Sequence, residues 1–348
     1  HACRPLLRDN LPHEMAAARW TPPCLVFAIA CGRDPVPAAV QASPTRPAAA
    51  PVERAPIPPA VAITKVAAGG DSTCAASSTG RVHCAGRIIG DAEQPRAIPV
   101  GDVVDELAVA DGQACARTHA GAVECWRAPA VAGEAPVVAR VDDIHDATAI
   151  AVRDAAACAK LAQGRVRCWG HDAKGPFTAE LNGLIGAKAI AFDGDAVIVH
   201  AGDGKVRHYD PRGAVLERDN DGDEIAGLVG TGRGCVIYGG ALRCSGDHFE
   251  GTPLDEGFMP QTTHAAGVCG SFGTAEIRCS SWNRDTPAAG RRWSTFLVPD
   301  ATVVTAGSHH ACALTELGAL WCWGRGAQGQ LGERTPELLP TDVTAKFR

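Results

Sequence analysis

The chain is short of several things, and each absence narrows its function. Aromatic residues make up only 5% of its 348 positions, so small and β-branched side chains must fill most of any core. Basic charge is not in excess. Lys and Arg number 33 against 39 Asp and Glu, a net charge of −6, which argues against nucleic acid as a partner. The apolar run at residues 24–30 is too short to cross a bilayer. There is no Gly-x-Ser-x-Gly elbow, no His-Glu-x-x-His pair and no phosphate loop. No nucleophile–base–acid set stands out, so the expectation is a protein that is not an enzyme.

What the chain does have is 15 cysteines, many for a cytosolic protein, and a repeated unit that contains most of them. The unit is an apolar run, a small-residue turn, Cys, then Gly-x-Val/Leu-x-Cys. It recurs seven times, most clearly at residues 303–332 and again at 107–126 and 150–169. The first cysteines fall at 74, 115, 158, 235, 269 and 312, with Ile198 filling the gap. The mean spacing is (312 − 74)/6, or about 40 residues. At ordinary strand and loop lengths this is roughly four strands per repeat. The sequence therefore predicts an all-β, seven-bladed β-propeller over residues 61–348.

The hairpin arithmetic is explicit in the first copy. With Ser78-Thr79-Gly80 as a three-residue loop, Ser77 faces Arg81, Ala76 faces Val82 and Cys74 faces Cys84. Glycine stands at the same loop position in Gly121, Gly164, Gly204 and Gly318, where a left-handed residue is needed. In the fifth copy the cysteines are one residue closer, and Gly239-Gly240 suits a two-residue turn that keeps them opposed. The sixth copy has Ala275 where Gly is expected, which weakens its hairpin. Opposed positions are within disulfide reach. The pairs are Cys74/Cys84, Cys115/Cys125, Cys158/Cys168, Cys235/Cys244, Cys269/Cys279 and Cys312/Cys322. In the fourth copy both cysteines are replaced together, by Ile198 and His208. Buried free thiols are the alternative. Zinc is disfavoured, because the spacing is not Cys-x-x-Cys.

Residues 1–31 form an address rather than a domain. Residues 1–14 read as an upstream extension. Met15 opens a segment with Arg19, a short apolar core and the stretch Ala28-Ile29-Ala30-Cys31, which resembles a bacterial lipobox with Cys31 as the lipidation site. Residues 32–60 are rich in Pro and Ala without apolar periodicity, the composition of a disordered linker. Stretched as polyproline, about 28 residues would reach ~85 Å.

The seventh copy carries a family resemblance. It runs Ala306-Gly307-Ser308-His309-His310-Ala311-Cys312-Ala313-Leu314, then Gly318-Ala319-Leu320-Trp321-Cys322-Trp323-Gly324, and ends Gly329-Gln330-Leu331-Gly332. This closely resembles the regulator-of-chromosome-condensation repeat family. The resemblance implies a seven-bladed propeller whose ring closes by pairing strands from both chain ends. Residues 339–343 would then complete a blade with residues 61–66. That family includes nuclear exchange factors for small GTPases and a secreted beta-lactamase inhibitor. By analogy, the expectation is a monomeric, lipid-anchored binding protein of the cell envelope, with a protein or envelope ligand and no nucleic acid. An envelope hydrolase or lyase using the central funnel, and a purely structural envelope protein, are the alternatives.

Individual residues add little chemistry. Asp219, Asp221 and Asp223 alternate as in the start of a calcium loop, but Glu224 and Gly230 break the pattern, and a solvated loop explains them as well. No other cofactor is implied. The resemblance puts one of His309 and His310 at a packing position. Trp126, Trp169 and Trp323 recur after the second Cys, as packing residues would. Arg291, Arg292, Trp293, Phe296 and Leu297 fall in a long sixth-copy connection read as irregular and as a candidate contact surface.

Overall fold

The computed structural model describes residues 61–348 apart from 91, 132–133, 185, 219–226, 230–234, 239–240, 245–251, 254–256, 265–266, 282–291 and 335–336. The signal segment with Cys31, the Pro/Ala-rich linker, and Asp219, Asp221 and Asp223 lie outside these residues.

Each repeat forms an antiparallel meander of four strands. Sheet 1 holds β1 (Ile63–Gly69), β2 (Ser72–Ser77), β3 (Val82–Gly86) and β4 (Ala92–Ile98). Sheet 2 holds β5 (Val104–Val109), β6 (Gln113–Thr118), β7 (Val123–Arg127) and β8 (Val138–Arg140). Sheet 3 holds β9 (Ala147–Arg153), β10 (Ala156–Leu161), β11 (Val166–Asp172) and β12 (Gly175–Glu180). Sheet 4 holds β13 (Ala189–Asp193), β14 (Ala196–His200), β15 (Val206–Tyr209) and β16 (Val215–Arg218). Sheet 5 holds β17 (Gly227–Val229), β18 (Cys235–Tyr238), β19 (Ala241–Cys244) and β20 (Thr252–Pro253). Sheet 6 holds β21 (Phe258–His264), β22 (Gly267–Phe272), β23 (Glu276–Ser281) and β24 (Arg292–Leu297). Sheet 7 holds β25 (Ala301–Ala306), β26 (His310–Thr315), β27 (Leu320–Gly324) and β28 (Glu337–Asp342). No α-helix occurs among the described residues.

The hairpins follow from the turn chemistry. Ser77 N donates to Arg81 O at 2.9 Å, and Gly80 adopts φ 80°. The same bond recurs at Thr118/Ala122, Leu161/Arg165, Ala201/Lys205 and Thr315/Ala319, each beside a left-handed glycine. Antiparallel pairs alternate between bonded and non-bonded. Three steps from each bonded closing pair, the two cysteines occupy a non-bonded pair, where backbones approach most closely. Five disulfides form there, with Cα–Cα separations of 4.0–4.1 Å: Cys74–Cys84, Cys115–Cys125, Cys158–Cys168, Cys269–Cys279 and Cys312–Cys322. Cys235 faces Cys244 in register, and Ile198 faces His208. The sixth hairpin does form. Its left-handed glycine is Gly273, the first loop residue, so Ala275 needs no strained backbone.

The first strands of successive sheets neighbour one another in chain order, and β25 touches β1 again. The core lies between sheets. Trp126 is fully buried between sheets 1 and 2, and Trp323 between sheets 6 and 7. Tyr209, the residue after His208, fills the same role between sheets 3 and 4. Side chains also brace first strands to each other. The Glu106 carboxylate accepts from Ile150 N at 3.3 Å, Gln261 Oε1 from Val304 N at 2.7 Å, and Thr305 Oγ1 from Ala68 N at 2.9 Å.

The chain ends meet differently from the expectation. β28 pairs with β27, and β1 pairs with β2, so among the described residues no sheet mixes strands from the two ends. Sheets 7 and 1 are joined instead by packing, by side-chain bonds and by backbone bonds at their loops, where Ile63 N donates to Gly318 O at 3.1 Å and Ser308 N to Gly70 O at 2.6 Å. Leu331, Val343 and Phe347 are buried with Ile63, Ala75 and Ala85. His310 is buried, and its Nε2 lies 2.8 Å from Thr73 Oγ1. The Gly-Gln-Leu-Gly tail of the seventh copy thus has a structural role, supplying buried Gln330 and Leu331 near this junction.

Candidate functional site: a groove between sheets 2 and 3

A cavity of about 940 Å³ opens between the outer strands of sheets 2 and 3. Its origin is local. β8 has three residues, whereas β12 has six, so the outer edge of sheet 2 ends early and leaves Arg127 uncovered. Residues 128–137 carry two prolines, Pro129 and Pro136, which cannot donate to a strand ladder. Pro129, Glu134 and Val137 of this connection line the outer side of the groove. The connection is held from sheet 1, where Arg96 Nη1 donates to Glu134 O at 3.1 Å.

The floor is aromatic. Trp169 on β11 is half-buried, packed against the core between sheets 2 and 3 and bordering the groove with Trp126. The wall exposes Val137, which is 82% accessible. Arg127, Arg140 and Arg167 line the same space. Arg127 Nε donates to Oε1 of buried Gln113 at 3.0 Å, and Arg167 Nη1 donates to the Asp143 carbonyl at 3.3 Å.

A smaller cavity of about 340 Å³ lies between sheets 3 and 4. His171 and Phe177 belong to both cavities, so the β11–β12 pair is the partition between them. Beside Phe177, Arg212 makes two bonds to Asp172, at 2.7 and 2.6 Å, with its guanidinium 4.8 Å from the ring centre. The Arg212 guanidinium beside Asp172 holds that carboxyl well below the usual carboxylate range.

A hydrolase in the central funnel would need convergent carboxylates or histidines with shifted pKa values. Glu106 is the first-strand carboxylate pushed up, by burial, against the pull of Arg117. Its oxygens are engaged by Arg117 Nε at 3.0 Å and by Ile150 N, which makes it a brace between sheets 2 and 3. Among the described residues no group of three or more His, Cys, Asp or Glu side chains could hold a metal ion.

The residues singled out from sequence separate into packing and surface. His310 packs at the sheet 7–sheet 1 junction, while His309 is exposed with Nδ1 3.6 Å from Asp71. Trp293 and Phe296 lie in β24, a strand rather than an irregular loop. Trp293 meets Phe258 edge-on at 5.0 Å, and Phe296 lies 4.9 Å from Trp323, so their rings are spent on packing. Leu297 alone of this group is shown exposed, and Arg291 lies outside the described residues. Sequence reasoning missed the three groove arginines. The available signal was the Pro/Ala/Val-rich break at 128–137 between two well-kept repeats.

Comparison with known proteins places this geometry. The regulator of chromosome condensation (RCC1) repeat matches residues 63–87 and 302–330, which lie in sheets 1 and 7. No curated protein matches the chain. Among solved structures, the ectodomain of the Physcomitrella patens receptor kinase CR4 is 19% identical, covering 76% of this chain and 73% of that one with a TM-score of 0.53. PorZ, a bacterial surface component of the type-IX secretion system of Porphyromonas gingivalis, is 15% identical. It covers 81% of this chain and 38% of that one, with a TM-score of 0.52. Yeast RCC1 (Prp20), solved with Kap60, is 18% identical over 81% of this chain and 74% of that one, with a TM-score of 0.42. Two segments of the chain thus match the RCC1 repeat, and the chain has an all-β, β-propeller-like fold.

Proposed function

We propose that this chain is a non-catalytic, protein-binding propeller of the cell envelope, with its seven sheets as the blades of one ring. The contact of β25 with β1 supports closure. Five disulfides are consistent with an oxidising, extracytoplasmic compartment. In this reading Cys31 is lipidated, residues 32–60 tether the ring, and the ring acts as a monomer.

The observation that carries the binding role is the groove between sheets 2 and 3. Aromatic and arginine side chains beside the exposed Val137 are the composition of a protein interface centre. A photo-crosslinking residue at Thr178, on the groove wall, should yield one discrete protein adduct from the full chain in its own host. The same residue at Leu216, on the outer strand of sheet 4, should not. Equal labelling from both sites, or none, would contradict the reading. For the anchor, Cys31→Ser should move the protein from membrane to soluble fractions, and unchanged partitioning would remove that part.

A further inference from the structure

The groove can be asked what kind of segment it takes, an inference that rests on the protein-binding reading. Several arginines here have an acid beside them: Arg87 with Asp111, Arg117 with Glu106, Arg153 with Asp195, Arg165 with Glu180 and Arg212 with Asp172. The three groove arginines do not. Arg127 has its Nε bond to Gln113, Arg167 has its bond to a backbone carbonyl, and neither these nor Arg140 joins an ion pair among the described residues. Gln113 is buried, so it fixes the Arg127 guanidinium by one edge. The Nη groups remain for a carboxylate, which a guanidinium fork recognises well.

Three exposed acids, Glu134, Asp142 and Asp143, border the same groove and balance the arginines in number. A polyacidic segment would therefore meet as much repulsion as attraction. One carboxylate, seated at the arginine that a buried side chain orients, would not. The apolar share of the groove, Trp169 with Val137, asks for an aliphatic, proline or aromatic neighbour. Strand register selects the conformation. The β7–β8 ladder stops at Trp126 and Val138, so Arg127 lies past its end, where an extended chain can run beside β7.

We infer that the groove between sheets 2 and 3 binds an extended segment of a partner protein. The segment carries a single carboxylate at Arg127 beside an apolar side chain on Trp169 and Val137.

The test is selection of random ten-residue peptides on the immobilised full chain, followed by affinity measurement of the enriched sequences. The expected motif is one Asp, Glu or terminal carboxylate next to an apolar residue. Arg127→Gln should weaken binding ~10-fold or more, the range for a lost charge-assisted hydrogen bond. Val137→Asp should weaken it comparably. Both positions are exposed, so unchanged melting would show that the fold is kept. Gln113→Leu should reproduce part of the Arg127→Gln loss. Enrichment of polyacidic or basic peptides, binding indifferent to Arg127→Gln and Val137→Asp, or no enrichment would overturn the inference. A discrete adduct from Thr178 alongside any of those results would leave protein binding standing and remove only the peptide chemistry.

Discussion

Removing one disulfide tests how much of this propeller-like fold is held covalently. The perturbation is Cys158→Ala with Cys168→Ala, which gives sheet 3 the state that sheet 4 already has with Ile198 and His208. The bridge closes a loop of sequence separation 10. Chain-entropy reasoning gives about 9 cal/mol/K for a loop of that size, or about 2.7 kcal/mol at 25 °C. A domain this large loses ~2–4 °C of Tm per kcal/mol, so the variant should melt roughly 5–10 °C lower. The five bridges together would sum to about 13 kcal/mol, comparable with the whole stability of an ordinary domain. Full reduction should therefore unfold the ring near ambient temperature. The assay is thermal and urea unfolding with and without reductant, with peptide mapping of the non-reduced protein. A Tm change under ~2 °C for the double variant, or free thiols throughout the map, would refute the covalent account.

Other perturbations probe separate joints. Gly121→Ala should cost well over ~1 kcal/mol, because φ is 77° and the new Cβ would sit 2.7 Å from His145 O. Gly204→Ala, at φ 82° in open space, should cost only the left-handed strain of ~1–2 kcal/mol, and urea unfolding separates the two. Burial raises the Glu106 carboxyl, so its favourable contribution is complete below the unfolded pKa and is lost as pH rises through the folded one. Glu106→Gln should thus be the more stable protein at pH 7. The gap should narrow as pH falls through the raised pKa, and a pH-independent gap would contradict the burial cause. Thr73→Val removes the partner 2.8 Å from His310 Nε2 and should destabilise by ~1–3 kcal/mol. Hydrogen exchange should quicken in sheets 7 and 1 together.

The repeat is readable from sequence because its determinants are local. A glycine at the third loop position fixes the hairpin, the hairpin fixes which residues oppose, and Cys74 meets Cys84 as counted. The sixth copy shows where such counting is too strict, since a glycine two positions earlier also closes a three-residue loop. Closure departs from the expectation because it depends on contacts between chain ends. Nothing in the 339–343 stretch says whether it will pair with β27 or with β1. Packing of Phe347 and Leu331 against Ile63 makes a shared sheet unnecessary. The groove is hidden for a related reason. Arg127, Arg140 and Arg167 come from three strands, and their meeting depends on how early β8 ends. Trp169 resembles its repeat partners Trp126 and Trp323 in sequence, yet the short β8 leaves it at a groove edge.

The proposed binding surface can be located by hydrogen exchange of the full chain, with and without a saturating selected peptide. Exchange should slow at residues 123–143 and 166–178 alone. Slowing at the hairpin loops 78–80, 119–121 and 316–318, or along the first strands β1, β5 and β9, would contradict it.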